Sequence, residues 1–256
     1  MLSTFESCLI VASTIIGALI FLTLFRRFWL SKTHRQHNDI IGWQISFLST
    51  TYAVIIAFML SDVWNNYQAA ETNAEVEANS ILNVYQVAAG FPTEQRDLIR
   101  SLARLYTKSM VEEEWPAMQR GELSRAGNQT TSRLWQAVMA ARAANGTEQG
   151  SFNHALTDLT ALTEHRRIRQ LQSRAKLPAI FWAVLSIGGL MTIIYTCLFN
   201  VEDPRMHMLQ VISVSFFISL VLVTIADIDG PFGGAVRIPS TSFEMVLQSM
   251  GNGAAK

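Results

Sequence analysis

The residues of this 256-residue chain that could do chemistry are few, and their spacing argues against catalysis. The five histidines are His34, His37, His154, His165 and His207; none stands beside a cysteine, and no H-E-x-x-H pair occurs. His34 and His37 are three positions apart, but they lie among Arg26, Arg27, Lys32 and Arg35, whose charge repels a metal cation. No glycine-rich phosphate loop and no G-x-S-x-G elbow is present. The run Glu112-Glu113-Glu114 reads as a solvated helix face. Cys8 and Cys197 both fall in apolar runs, where a thiol packs as a small hydrophobe. The expectation is therefore a protein that is not an enzyme, with no metal and no cofactor.

Two groups of polar residues remain. Hydroxyls dot the apolar runs: Ser46, Ser49, Thr50 and Thr51 in one, and Ser213, Ser215, Ser219 and Thr224 in another. Hydrogen bonds between helices are the ordinary use of such groups in lipid. A polar lining for an ion or solute path is the other. The second group is Asp227-Ile228-Asp229-Gly230-Pro231-Phe232-Gly233-Gly234, which follows an apolar run without a gap. It reads equally as a helix stop with an interfacial Phe, or as a tight turn carrying carboxylates towards an ion or a neighbouring subunit.

The elements that must position these residues are set by charge. Four stretches contain no Asp, Glu, Lys or Arg: Ser7 to Phe25, Ile40 to Ser61, Leu177 to Val201 and Met206 to Ala226. A bilayer core about 30 Å thick needs roughly 20 apolar residues of helix, so each run can cross it. The chain has no net charge, which excludes a generic nucleic-acid binder. Residues 62–176 nevertheless hold 13 of the 20 basic and 13 of the 20 acidic groups, so this segment lies in water. The sequence thus predicts an all-α integral membrane protein with the lipid bilayer as a partner. A transmembrane hairpin over residues 5–62 and a second over 177–228 flank a helical extramembrane domain at 63–176, and a turn and tail occupy 229–256. Four basic residues in the first link favour a cytoplasmic link and an external wet domain, while five before the third run, from Arg166 to Lys176, favour the opposite.

Within the wet segment, no Gly or Pro interrupts the chain between Trp43 and Gly90. Tyr67, Ala70, Ala74, Glu77, Ile81, Val84 and Ala88 fall on one stripe. The second membrane helix is thus expected to run on into water, and the third to be continuous with the wet helix before it. Glu77 inside the stripe sits ordinarily at its edge, with its carboxylate in water; the sharper reading is a buried charge with an arginine partner. A helix is expected from Thr93 to Trp115 with Leu98, Leu102, Leu105 and Ser109 inward, and a loop over residues 116–129. A further helix is expected to be capped by Thr131 or Ser132 and to run through Ala144, ended by Asn145-Gly146. Another is capped by Ser151, with Phe152, Ala155, Leu159 and Leu162 inward. Gly188 and Gly189 offer close helix packing in the third membrane run. Together with the long stripe, they suggest contacts in a homo-oligomer.

Several segments in order resemble the bestrophin-like family of four-helix membrane proteins. They are Asn38-Asp39-Ile40-Ile41-Gly42, Glu77-Ala78-Asn79, Glu114-Trp115, the basic stretch from Arg166 to Lys176 before Pro178, and Asp229 with Pro231-Phe232-Gly233-Gly234. Pro231-Phe232-Gly233 after the last membrane helix also resembles the signature of true bestrophins, which are pentameric anion channels. There the signature leads into an acidic calcium-binding stretch; here Ala235, Val236 and Arg237 follow. The resemblance implies a multi-pass protein of a bacterial plasma membrane, both termini and the wet domain in the cytosol, and an ion channel on an oligomer axis with anions as partners. It makes Asp227, Asp229, Pro231, Phe232 and Gly233 candidates for the pore mouth. Arg166, Arg167, Arg169 and Arg174 would raise anion concentration at the entrance. A non-conducting membrane scaffold or sensor, binding a partner through its wet helices, is the alternative.

Overall fold

A computed structural model of the chain describes residues 4–28, 38–122, 124, 126–141, 145–199, 201 and 203–252. Among these residues every regular element is helical. The helices are α1 (Thr4–Phe28), α2 (Asn38–Val87), α3 (Thr93–Ser109), α4 (Trp115–Gln119), α5 (Ala126–Met139), α6 (Gly146–Gln172), α7 (Ala179–Leu198), α8 (Pro204–Ile228) and α9 (Thr241–Asn252). The chain divides into two compact units: Met1–Asn65 with Lys176–Asp229, and Asn66–Ala175 with Gly230–Lys256.

The first unit holds the four charge-poor runs. Four helices are long and apolar enough to cross a membrane, in α1, α2, α7 and α8. Their large apolar side chains point outward, among them Leu9, Ile16 and Ile20 on α1 and Trp43, Phe47 and Phe58 on α2. That distribution suits hydrocarbon and would be costly in water. Pro178 stands at the N-cap of α7, and the Asp203 carboxylate caps α8 by accepting from the Arg205 backbone N–H. The link carrying Lys32, His34, Arg35 and His37 lies outside the described residues.

Packing inside this unit differs from the expectation for the hydroxyls. Ser46, Thr50, Thr51, Ser213, Ser219 and Thr224 each donate to a carbonyl of their own helix. A tyrosine makes the hydrogen bond between helices instead: the Tyr52 hydroxyl of α2 donates to the Leu185 carbonyl of α7 at 2.8 Å. The Tyr52 ring lies on Gly188 and Gly189, where an added Cβ would stand 2.5 Å from the ring at Gly188 and 2.9 Å from its hydroxyl at Gly189. These glycines are in contact within the chain, rather than left open for a neighbouring subunit.

The second unit has an aqueous character and its own core. α2 is one 50-residue helix, so the expected run past the lipid is what the chain forms. A 3₁₀ turn at Ala88–Gly90 and then Pro92 end it. The stripe Ala70, Ala74, Ile81, Val84 and Ala88 is buried against Ile99, Leu102, Tyr106, Leu134, Leu159 and Leu162. The face expected to offer subunit contacts is therefore covered inside one chain.

Several expected boundaries and faces shift. On α3 the inward residues are Ile99, Leu102, Ala103 and Tyr106, while Leu98 and Leu105 are exposed. Two stripes one residue apart both fit the three-four spacing there, and only packing chooses between them. α5 begins at Ala126, inside the segment expected to be loop, so Thr131 and Ser132 sit mid-helix and donate to Gly127 and Asn128 carbonyls. Its expected last residues, 142–144, lie outside the described residues. Asn145 does not end a helix but opens α6, its side chain accepting from the Glu148 N–H at 2.9 Å. Glu148 three residues later completes that capping pair, a stronger start signal than Ser151. α6 ends at Gln172, so α7 is not its continuation.

Candidate functional site

Four charged side chains meet in the core of the second unit, placed by three helix features. Glu77 is carried inward by the α2 stripe. Arg166 and Arg169 are three residues apart on α6 and share a face with Leu159 and Leu162. Glu114 ends a π-helical turn, Met110–Glu114, inserted between α3 and α4. That wider turn advances the chain by an extra residue and turns Glu114 and Trp115 inward, while Glu112 and Glu113 stay exposed. Glu114 thus departs from the solvated face expected of the acidic run.

The geometry is that of a closed ion network. Arg169 donates to both Glu77 carboxylate oxygens, through Nε at 2.6 Å and Nη2 at 3.0 Å. Its Nη2 also reaches Glu114 Oε2 at 3.0 Å. Arg166 takes Glu114 with both terminal nitrogens, at 3.0 and 2.5 Å. The Tyr106 hydroxyl donates to Glu77 Oε1 at 2.6 Å and accepts from Arg166 Nη1 at 3.3 Å. Asn128 Oδ1 accepts from Arg166, and the Gly127 N–H of α5 donates to Glu114 Oε1 at 2.9 Å. A Cβ on Gly127 would stand 2.4 Å from the Arg166 guanidinium, so a side chain there would displace the pair. The Arg169 guanidinium lies 5.3 Å from the Trp115 ring centre, and the Met110 and Met118 sulfurs contact it.

Glu77 and Arg169 are completely buried. For Glu77 the sharper reading therefore holds. Burial works against the Glu114 carboxylate, but Arg169 and Arg166 outweigh it and lower its pKa. Burial likewise disfavours the Arg169 cation, and Glu77 more than compensates. The Tyr106 phenol is pushed up by burial first and by Glu77 second. Two positive and two negative charges thus cancel out of contact with water. Arg166 and Arg169 present no free charge to an ion, unlike the exposed Arg167 and Arg174. The pairing was not readable from the basic run, because carboxylates 52 and 92 residues away supply it.

The turn after α8 divides between the units. In the first, Asp229 caps α8 and its carboxylate accepts from the Leu177 backbone N–H at 2.8 Å. Burial raises its pKa, while the Leu177 N–H and Lys176 oppose that shift. Asp227 is half-buried on the last turn of α8. In the second unit the turn closes with the Gly233 N–H donating to the Gly230 carbonyl at 2.9 Å and the Ile238 N–H to the Pro231 carbonyl at 2.8 Å. Gly234 has φ of 83°, a left-handed conformation that favours glycine. Phe232 is neither interfacial nor at an exposed apex. It is buried edge-on to Trp115, ring centres 5.6 Å apart, and Trp115 in turn packs on Phe243 of α9 and donates to the Ile238 carbonyl. Among the described residues no cluster of His, Cys, Asp and Glu is arranged to hold a metal ion.

Four lipid-suited helices joined to a helical aqueous unit define a multi-pass α-helical membrane protein. The chain belongs to the bestrophin-like family: the profile of the bestrophin-like domain matches residues 12–243. No curated protein matches it. Among solved structures, a variant of a membrane protein aligns at 10% identity with a TM-score of 0.72, covering 98% of this chain and 99% of that one. Two mutants of a bacterial bestrophin homolog from Klebsiella pneumoniae align at 12% identity, each with a TM-score of 0.72. They cover 97% and 98% of this chain and 99% and 100% of theirs. At such identities the likeness shows the fold.

Proposed function

We propose that this chain is one subunit of an oligomeric ion channel that passes anions along the oligomer axis. The observation that carries the reading is the family match over residues 12–243, since true bestrophins are channels of that kind. The membrane helices fit it: the outward faces of α1 and α2 leave surface for both lipid and neighbouring subunits. In this reading Asp227 and Asp229 stand at the pore mouth. Pro231, Phe232 and Gly233 set the turn from inside the fold. Arg167 and Arg174 supply the positive field at the entrance.

Recording from purified protein in planar bilayers under a salt gradient tests this. Unitary currents that reverse near the chloride equilibrium potential are expected. Reversal near the cation potential would overturn the selectivity, and silence across several salts would favour a non-conducting scaffold. A monomer of 28.6 kDa in mild detergent would remove the axial pore altogether.

A further inference from the structure

Arg100 and Arg104 stand four residues apart on α3, so they share one face, and each is half-buried with part of its surface in water. Both guanidinium groups lie on the ring of buried Tyr85 of α2, 4.9 and 5.2 Å from its centre. Arg100 Nε donates to the Tyr85 backbone carbonyl at 3.3 Å. Arg104 Nη2 donates to the Tyr85 hydroxyl at 2.7 Å and to the Met250 carbonyl of α9 at 2.6 Å. Among the described residues neither arginine makes an ion pair. On α3 the Asp97 carboxylate pairs with Arg96, and Glu112 pairs with Lys108. Arg104 Nε is buried and has no acceptor among the described residues. The acceptors that the fold does supply carry little charge. The Tyr85 and Met250 carbonyls lie in the last turns of α2 and α9, and a helix C-terminus bears about half a negative charge. Two such ends offset roughly one of the two positive charges, and roughly one remains. Arg166 and Arg169 differ, since two carboxylates match them.

We propose that Arg100 and Arg104 bind the phosphate group of a soluble ligand, one oxyanion bridging the two guanidinium groups. The Tyr85 ring and the two carbonyls fix both arginines before the ligand arrives, which lowers the cost of ordering them. A phosphate suits the pair better than chloride, because its oxygens accept several directed N–H bonds from guanidinium forks. The site lies within the aqueous unit and does not depend on the channel reading.

Titration calorimetry of the full chain in detergent with inorganic phosphate, at pH 7.5 and an ionic strength held constant with sodium chloride, tests this. Saturable binding of one phosphate per chain is expected. Arg100→Gln and Arg104→Gln should each weaken it by about tenfold or more, while Arg96→Gln and Lys108→Gln bind as wild type does. Absence of saturable binding overturns the proposal, and so does an equal loss in all four variants. Because Arg104 also holds α9, its variant is open to unfolding, and a measurement on wild type decides in that case. Phosphate should protect Arg100 and Arg104, but not Arg96, from phenylglyoxal, as read by mass spectrometry; equal modification with and without phosphate sinks the site. Protection by phosphatidate-containing nanodiscs alone, with none from inorganic phosphate, overturns the soluble source in favour of a lipid headgroup.

Discussion

A buried arginine between two carboxylates fixes geometry more than it adds stability. Charges taken out of water recover little more than their desolvation cost when paired, yet removing one partner strands the others. Arg169 touches Glu77, Glu114 and the Trp115 ring at once, so Arg169→Met should destabilise the chain by about 3–5 kcal/mol. Arg167→Met, at an exposed site, should cost less than about 0.5 kcal/mol. Chemical denaturation measures both, and comparable losses would show that the network is not closed. Acid supplies a second check. The lowered pKa of Glu114 means that its ionised form stabilises the fold above the unfolded value near 4.3, and that this stability is lost as pH falls below it. Glu114→Gln should flatten the decline in stability between about pH 5 and 3. A decline as steep as that of wild type would count against the role of Glu114.

At the scale of elements, small residues decide how closely helices approach. Gly188 admits the Tyr52 ring, so Gly188→Ala should cost about 1–3 kcal/mol by overpacking. Tyr52→Leu loses the bond to the Leu185 carbonyl but makes room, so the double variant should lose less than the sum of the singles. Strict additivity in thermal unfolding would place the glycine penalty elsewhere. The turn after α8 acts through its aromatic. Phe232→Ala opens a cavity beside Trp115 and should cost about 3–5 kcal/mol, whereas exposed Glu112 and Glu113 changed together to Gln should cost little. If the two variants melted alike, the turn would be a plain helix stop.

For the whole molecule, charge that is matched inside the fold must be separated from charge that faces water. Exposed Arg167 and Arg174 are the arginines of the basic run left to attract an anion. Changing both to Gln should lower anion flux through reconstituted protein several-fold at 10 mM salt and hardly at all at 1 M, because the screening length falls from roughly 30 Å to 3 Å. A loss independent of salt would mark a structural effect. The C-terminal segment also finds its place at this scale. Phe243, Val246 and Met250 of α9 enter the second unit's core, and the Met250 carbonyl accepts from Tyr85 and Arg104. The segment expected to be a turn and tail thus ends in a helix that belongs to the wet unit, a pairing settled by residues more than 140 positions earlier.

Local composition was enough to assign the solvent of each segment. Four charge-free runs, a balanced wet segment and an unbroken α2 follow from local composition and period, because water and hydrocarbon sort charge without reference to partners. Helix faces and caps were only half legible: Ile99 and Leu98 fit the same spacing, and Asn145 could have ended one helix or begun the next. Long-range packing alone turns Glu114 inward, neutralises Arg166 and Arg169, and makes Phe232 part of the core. Each of these depends on which distant groups share a low-dielectric space, and pairing across dozens of residues leaves no periodic mark in the chain.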